Sequence, residues 1–190
     1  MCPGGIVIPA MSHKNTIVTN GMSYSKRDSG IANSAILIQV PKEEFGDGYE
    51  FLHRIETNAY NVSNSYKALS QNIKDFINCE TNELIFKSTY PLGTVIYDFN
   101  YMFSKKDSLI IKEALKYFDS KIPGFINEGI MIGPETRSSC PIRILRNEDY
   151  QSVNTNNLYP MGEGSGYGGG IMSCALDGIR IANRIISYYE

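Results

Sequence analysis

The stretch with the clearest chemical potential is Leu158-Tyr159-Pro160-Met161-Gly162-Glu163-Gly164-Ser165-Gly166-Tyr167-Gly168-Gly169-Gly170-Ile171. It runs from an apolar segment through six glycines into a helical pattern. Gly164, Gly166 and Gly169 satisfy G-x-G-x-x-G, but the dinucleotide fingerprint also needs a following strand and an acidic residue about 20 positions on. One helical pattern follows in these residues, so the match is not expected to be that fingerprint. The loop does supply bare backbone, which a ligand can approach closely. The first N–H groups of the next helix lack partners and sit at the positive end of its dipole. Such an end attracts phosphate or the negative charge of a reduced cofactor ring. Glu163, an acceptor-only carboxylate, suits a ribityl or ribose hydroxyl and repels phosphate. The other reading is a flexible turn whose glycines allow tight packing of helix against strand, and the residues alone leave both open.

A second dense patch is Gly133-Pro134-Glu135-Thr136-Arg137-Ser138-Ser139-Cys140-Pro141-Ile142-Arg143. Arg137 with two hydroxyls in a loop can hold an anion or a carboxylate substrate. Equally, Arg137 can be structural, paired with Glu135 or Glu163. Little else reads as chemistry. His13 and His53 have no ligand-spaced partner, so a histidine base is not the obvious mechanism. Cys2, Cys79, Cys140 and Cys174 are widely separated without a CxxC pair, which argues against a zinc ribbon or thioredoxin-like site. No metal site is expected.

The elements that must position these patches are partly readable. Ile6-Val7-Ile8 and Thr16-Ile17-Val18-Thr19 suggest a hairpin, with Asn20-Gly21 as a tight turn. Ala35-Ile36-Leu37-Ile38-Gln39-Val40, ended by Pro41, reads as a buried strand. Asp47 and Glu50 resemble a capping box for a helix over 48–59. Residues 60–94 are ambiguous, with a short helix around Ile73, Phe76 and Ile77 and a turn at Tyr90-Pro91-Leu92-Gly93. Ser104 and Asp107 cap a helix whose stripe of Ile111, Ala114, Leu115 and Phe118 runs to Lys121, before Pro123-Gly124. Residues 129–133, 141–146 and 158–161 read as strands. A last helix over 171–188 carries a broad apolar face of Met172, Ala175, Leu176, Ile179, Ala182 and Ile186. It is expected to pack on strands that include Leu158–Pro160 and the Ile130 run.

The 190 residues suffice for one sizeable domain or two small lobes. Hydrophobic residues at 42% and charged residues at 20% are ordinary for a globular protein. The net charge of -2 gives no reason to expect a nucleic-acid partner. No apolar run approaches the roughly 20 residues of a membrane span. The start has no basic segment followed by an apolar core, so no signal peptide is expected in it. The cysteines are read as reduced thiols in a cytoplasmic protein.

Five motifs together resemble the bacterial FAD-dependent dehydrogenases, a family of flavoproteins similar to larger enzymes with two dinucleotide-binding domains. They are Cys2-Pro3-Gly4-Gly5, Thr19-Asn20-Gly21-Met22-Ser23-Tyr24, Asn33-Ser34-Ala35, Glu135 to Ile144 and Leu158 to Ile171. They occur in order and nearly end to end. Cys140 departs from the pattern, standing where the family has a small hydroxyl residue. The family's amino-terminal Gly-rich βαβ half has no counterpart here, so the chain is expected to be a C-terminal portion.

The resemblance implies an α+β fold: an inserted substrate-facing lobe over residues 1–125 and, over 126–190, the returning segment of a Rossmann-like FAD domain. It implies FAD as the cofactor of the intact protein, with Gly162 and Glu163 beside the ribityl chain. Gly164, Gly166, Tyr167, Gly169, Gly170 and Ile171 complete the cofactor contact, the helix opening at Gly169 pointing toward the ring. Thr136, Arg137 and Ser138 would lie near the reactive face, with Arg137 the candidate catalytic residue. The function expected is that of a C-terminal fragment of an FAD-dependent oxidoreductase, inactive alone. It would act on an unassigned small molecule with the missing flavoprotein half as partner. The alternative is a non-catalytic module that binds a partner chain or nothing, without flavin.

Overall fold

The computed structural model describes residues 2–189. Its architecture is α+β, with small sheets and helices in the order β1 (Cys2–Pro3), β2 (Gly5–Pro9), β3 (Thr19–Ser23), β4 (Ala32–Asn33), α1 (Lys42–Phe45), α2 (Gly48–Ser63), β5 (Ala68–Asn72), α3 (Ile73–Asn78), β6 (Thr94–Ile96), α4 (Lys105–Lys121), α5 (Phe125–Glu128), β7 (Ile130–Gly133) and α6 (Ile171–Ile186). The chain forms two compact units. The first is Met1–Gly46 with Glu50–Thr136; the second is Asp47–Tyr49 with Arg137–Glu190.

In the first unit β5 is central. It runs parallel to β6 and antiparallel to β7, in the order β6-β5-β7. All five β5 residues are buried although three are polar. Each polar side chain finds partners, which is what permits its burial. Gln71 donates to the Glu80 carbonyl at 2.8 Å and accepts from the Phe99 N–H at 2.9 Å. Asn72 donates to Asp75 at 2.7 Å and accepts from the Ile85 N–H at 3.0 Å. Around the strand, Leu69, Phe76, Phe99, Ile111 and Leu115 form the core with Ile17, Ala59, Ala68, Ile73 and Tyr90. The α4 helix behaves as its pattern predicts: the Ser104 hydroxyl accepts from the Asp107 N–H at 3.1 Å, and Ile111 and Leu115 are buried. α2 runs four residues past the predicted end, to Ser63, and α3 takes the place of the short helix expected there.

Three strand expectations are corrected. The hairpin exists, but its second strand starts at Thr19, and Gly21 pairs with Val7. Asn20-Gly21, expected as a tight turn following that strand, therefore lies inside the ladder; the pairing register outweighs the dipeptide's turn preference. Residues 35–40 form no strand, and Ile36 and Leu37 are exposed. An apolar run becomes a strand only where a neighbour takes its main-chain hydrogen bonds, and none pairs with it among the described residues. Residues 141–146 and 158–161 are likewise irregular, apart from an isolated bridge between Arg146 and Ser152; Pro141 and Pro160 each remove a ladder donor.

The second unit consists of α6 and a long irregular segment. The predicted burial of the α6 apolar face is not met. Asp177 and Ile181 are its buried residues, while Ile171 is 90% exposed and Met172 71%. With 158–160 not a strand, that part of the expected cover does not form.

Candidate functional site

The glycine-rich turn is built by hydrogen bonds inside the second unit. The Gly166 N–H donates to the Glu163 carbonyl and the Tyr167 N–H to the Gly162 carbonyl, both at 2.9 Å. The fold needs positive φ at Gly162 (69°) and Gly166 (82°), a region that costs a side chain about 1–2 kcal/mol. Residues of the second sequence patch run alongside. Cys140 Sγ donates to the Gly164 carbonyl at 3.3 Å, Arg143 Nε to the Gly166 carbonyl at 3.0 Å, and the Ile144 N–H to the Ser165 carbonyl at 3.2 Å. The two patches singled out from sequence thus meet at Cys140–Arg143 and Gly164–Gly166, with Ile144 just past the second patch.

The glycines divide into two kinds. A Cβ on Gly166 would lie 2.4 Å from the Ile142 carbonyl oxygen, and one on Gly168 would lie 2.6 Å from Cys174 Sγ. With Gly162, these are glycines that the fold demands. Gly164 and Gly169 are different: a Cβ on either would meet nothing within 4 Å, and neither has positive φ. Both are exposed, as are Glu163, Gly170 and Ile171. The turn therefore presents an open lip of main chain beside one carboxylate. At the helix start, the Gly170 N–H donates to Ser173 Oγ at 3.1 Å.

Beneath the lip lies an ion pair that sequence reading missed. Arg146 donates to Asp177 through both terminal nitrogens, at 2.9 and 2.7 Å, with side chains only 11% and 8% exposed. Asp177 Oδ2 also accepts the Gly162 N–H at 3.0 Å, and Arg146 donates to the Pro160 carbonyl at 2.8 Å. The guanidinium carbon stands 3.6 Å from the Tyr167 ring centroid. The hydrogen bond from Arg146, with help from the Gly162 N–H, holds the Asp177 carboxyl below its ordinary range against the opposing effect of burial. The same bond raises Arg146. The available signal was an acidic residue between apolar neighbours, Leu176 and Ile179, on an amphipathic helix.

Arg137, the candidate catalytic residue, is exposed, as are Ser138 and Ser139. Thr136 instead belongs to the first unit, where its hydroxyl donates to Glu56 Oε1 at 2.7 Å; Glu56 is 2% exposed. Burial raises the Glu135 carboxyl above its ordinary range. His13 and His53 meet edge to face at 5.7 Å. Among the described residues no group of three His, Cys, Asp or Glu side chains could hold a metal ion. No described helix is long and apolar enough to cross a membrane.

Comparison with known proteins bears on the whole chain. A protein of Clostridium beijerinckii, itself uncharacterised, is 38% identical over 200 residues, covering all of this chain and 37% of that protein. The chain thus spans little more than a third of the relative's length. Residues 1–138 match the family described as FAD-dependent protein, C-terminal domain-like; the glycine turn lies beyond that match and within the Clostridium one. By that match, across more than half of its length, the chain belongs to the FAD-dependent protein C-terminal domain-like family.

Proposed function

We propose that the chain supplies one wall of the flavin site of an FAD-dependent oxidoreductase, a dehydrogenase acting on a small molecule. The observation that carries the reading is the open lip. Neither backbone conformation nor a neighbouring atom requires glycine at Gly164 or Gly169, and a ligand pressed against the main chain would require it. The residues present fit a flavin's ribityl and ring portions. Glu163 would accept from ribityl hydroxyls, and the main chain of Gly162, Gly164, Gly166, Tyr167, Gly169, Gly170 and Ile171 would lie along the cofactor. The flavin, when bound, would take or give the hydride. Arg137 would hold an anionic group of the substrate, since an exposed guanidinium has donors in a fixed fork. In this proposal residues 1–125 form the substrate-facing lobe and 126–190 the flavin-contacting segment.

The adenosine end of FAD would rest on a separate flavoprotein half, the proposed partner. Two features support such a partner: the relative's far greater length, and the apolar face of α6, with Ile171, Met172, Leu176 and Ile179 exposed. Contiguous exposed apolar surface of this kind marks interaction sites. A cytoplasmic setting is part of the proposal, supported by free thiols at Cys79, Cys140 and Cys174.

The test is the visible spectrum of two purified proteins: the chain alone, and the chain joined in frame behind the N-terminal part of the Clostridium beijerinckii relative. The first should be colourless and the second yellow. A colourless fusion with a cooperative melting transition would favour the flavin-free module. A yellow chain that keeps its flavin through gel filtration alone would overturn the half-site reading.

A further inference from the structure

We propose that Arg146 and Asp177 are positioning residues that fix the shape of the glycine turn, gripping its entry, its first glycine and its exit from a single buried ion pair. Arg146 Nη1 donates to the Pro160 carbonyl at 2.8 Å, where the turn begins. Asp177 Oδ2 accepts the N–H of Gly162, a residue with φ of 69°. The Arg146 guanidinium lies against the ring of Tyr167, where the turn closes on the Gly162 carbonyl. One bidentate pair thus contacts residues 160, 162 and 167.

The chemistry needs an arginine and an aspartate, not merely two opposite charges. A planar guanidinium can donate to a carboxylate and a carbonyl while stacking on a ring; an ammonium cannot do all three. The carboxylate accepts from Arg146 at both oxygens and keeps capacity for Gly162. Asp177 sits in the second turn of α6, whose first residue is Ile171, so the pair ties the glycine loop to the helix that the loop opens. A loop with six glycines loses much conformational entropy when it is ordered. A rigid anchor beneath it keeps Glu163 and the main-chain lip in place before any ligand arrives, which cuts the ordering cost of binding. The anchoring stands on the geometry alone; its consequence for flavin rests on the reading proposed above.

The test uses the 190-residue chain, with Asp177→Asn, Arg146→Lys and, as a milder variant that keeps both charges of the ion pair, Tyr167→Leu. Amide hydrogen exchange is read by NMR at Gly162, Gly166 and Tyr167 and along α6, beside FMN affinity from amide shifts. Positioning predicts exchange at the three turn amides faster by at least about tenfold, with α6 amides beyond Asp177 little changed. It also predicts FMN binding weakened by about the same factor in the folded protein. A purely structural pair would speed exchange across the whole unit together and leave FMN affinity unchanged below the melting temperature; that result overturns the proposal. Turn amides that loosen in a chain that never binds FMN would keep the anchoring and sink the flavin reading. Unchanged turn amides with FMN bound normally would sink the anchoring and keep the flavin.

Discussion

Alanine at Gly166 and alanine at Gly169 should have opposite effects on stability, and the contrast tests how the turn divides its glycines. At Gly166 the backbone has φ of 82°, which costs an L-residue about 1–2 kcal/mol. The new Cβ would also lie 2.4 Å from the Ile142 carbonyl oxygen and 3.0 Å from Arg143 Cα, both backbone atoms that cannot swing away. Relieving that clash strains the hydrogen bonds from Arg143 Nε to Gly166 and from the Ile144 N–H to Ser165, each worth about 1 kcal/mol. The sum is a loss of about 3–4 kcal/mol. At Gly169 nothing lies within 4 Å of the Cβ position, so the substitution mainly removes freedom from the unfolded chain and stabilises by about 0.4–1 kcal/mol. Urea unfolding of the isolated chain, followed by tyrosine fluorescence since there is no tryptophan, measures both. Equal destabilisation by the two alanines would mean that the lip is packed shut, and the argument for ligand room would fail.

Other expectations follow from the same geometry. In the flavin-bound fusion, Glu163→Ala should weaken flavin affinity by about 1.5–3 kcal/mol, the range for a hydrogen bond to a charged group, as read by flavin fluorescence. Gly169→Val should weaken flavin at least as much without lowering the melting temperature of the isolated chain; a lowered melting temperature with flavin affinity intact would favour packing. Arg137→Ala should leave flavin retention near normal and slow its reduction by substrate, followed at the flavin absorbance band. Asp177→Ala should lower the opening free energy of the turn amides by about 3–5 kcal/mol, because it leaves Arg146 buried without its partner. The pH dependence has two opposite signs. Asp177 is held below its ordinary 3.8, so its stabilisation is complete above that value and lost as pH falls through the lowered one. Glu135 is raised above its ordinary 4.5 by burial, so stability is lost as pH rises through the raised value. Glu135→Gln should therefore raise the melting temperature at pH 7, and the gain should vanish below about pH 4.5.

The sequence was most legible where pattern and packing agree locally. Ser104 with the Ile111 and Leu115 stripe specifies α4 without reference to anything distant, and the α6 periodicity likewise survives as a helix. It was least legible where long-range partners decide. β5 falls in the stretch over 60–94 that reads ambiguously, yet it is the central strand, because Gln71 and Asn72 are satisfied by Glu80, Asp98, Phe99, Glu83 and Ile85. Residues 35–40 fail in the opposite sense, being apolar in composition but exposed in the fold. At the site, the glycine spacing marked the turn, but it could not separate Gly166, forced by φ and by Ile142, from Gly169, forced by nothing among the described residues. Arg146 and Asp177, separated by 31 residues, carried no joint signal.

The most direct test of the central claim maps where a flavin touches this chain. FMN, with ring and ribityl chain, and ADP, with phosphates and adenosine but no flavin, are titrated separately into the labelled chain, and amide shifts are followed. An isolated half-site should bind weakly, at about millimolar affinity, near 4 kcal/mol. The account predicts that FMN shifts the amides of Gly164, Gly169, Gly170 and Ile171, and that ADP at equal concentration leaves them in place. Shifts that ADP reproduces would reduce the turn to a phosphate-attracting helix end, and FMN shifts confined to other parts of the chain would contradict the account outright.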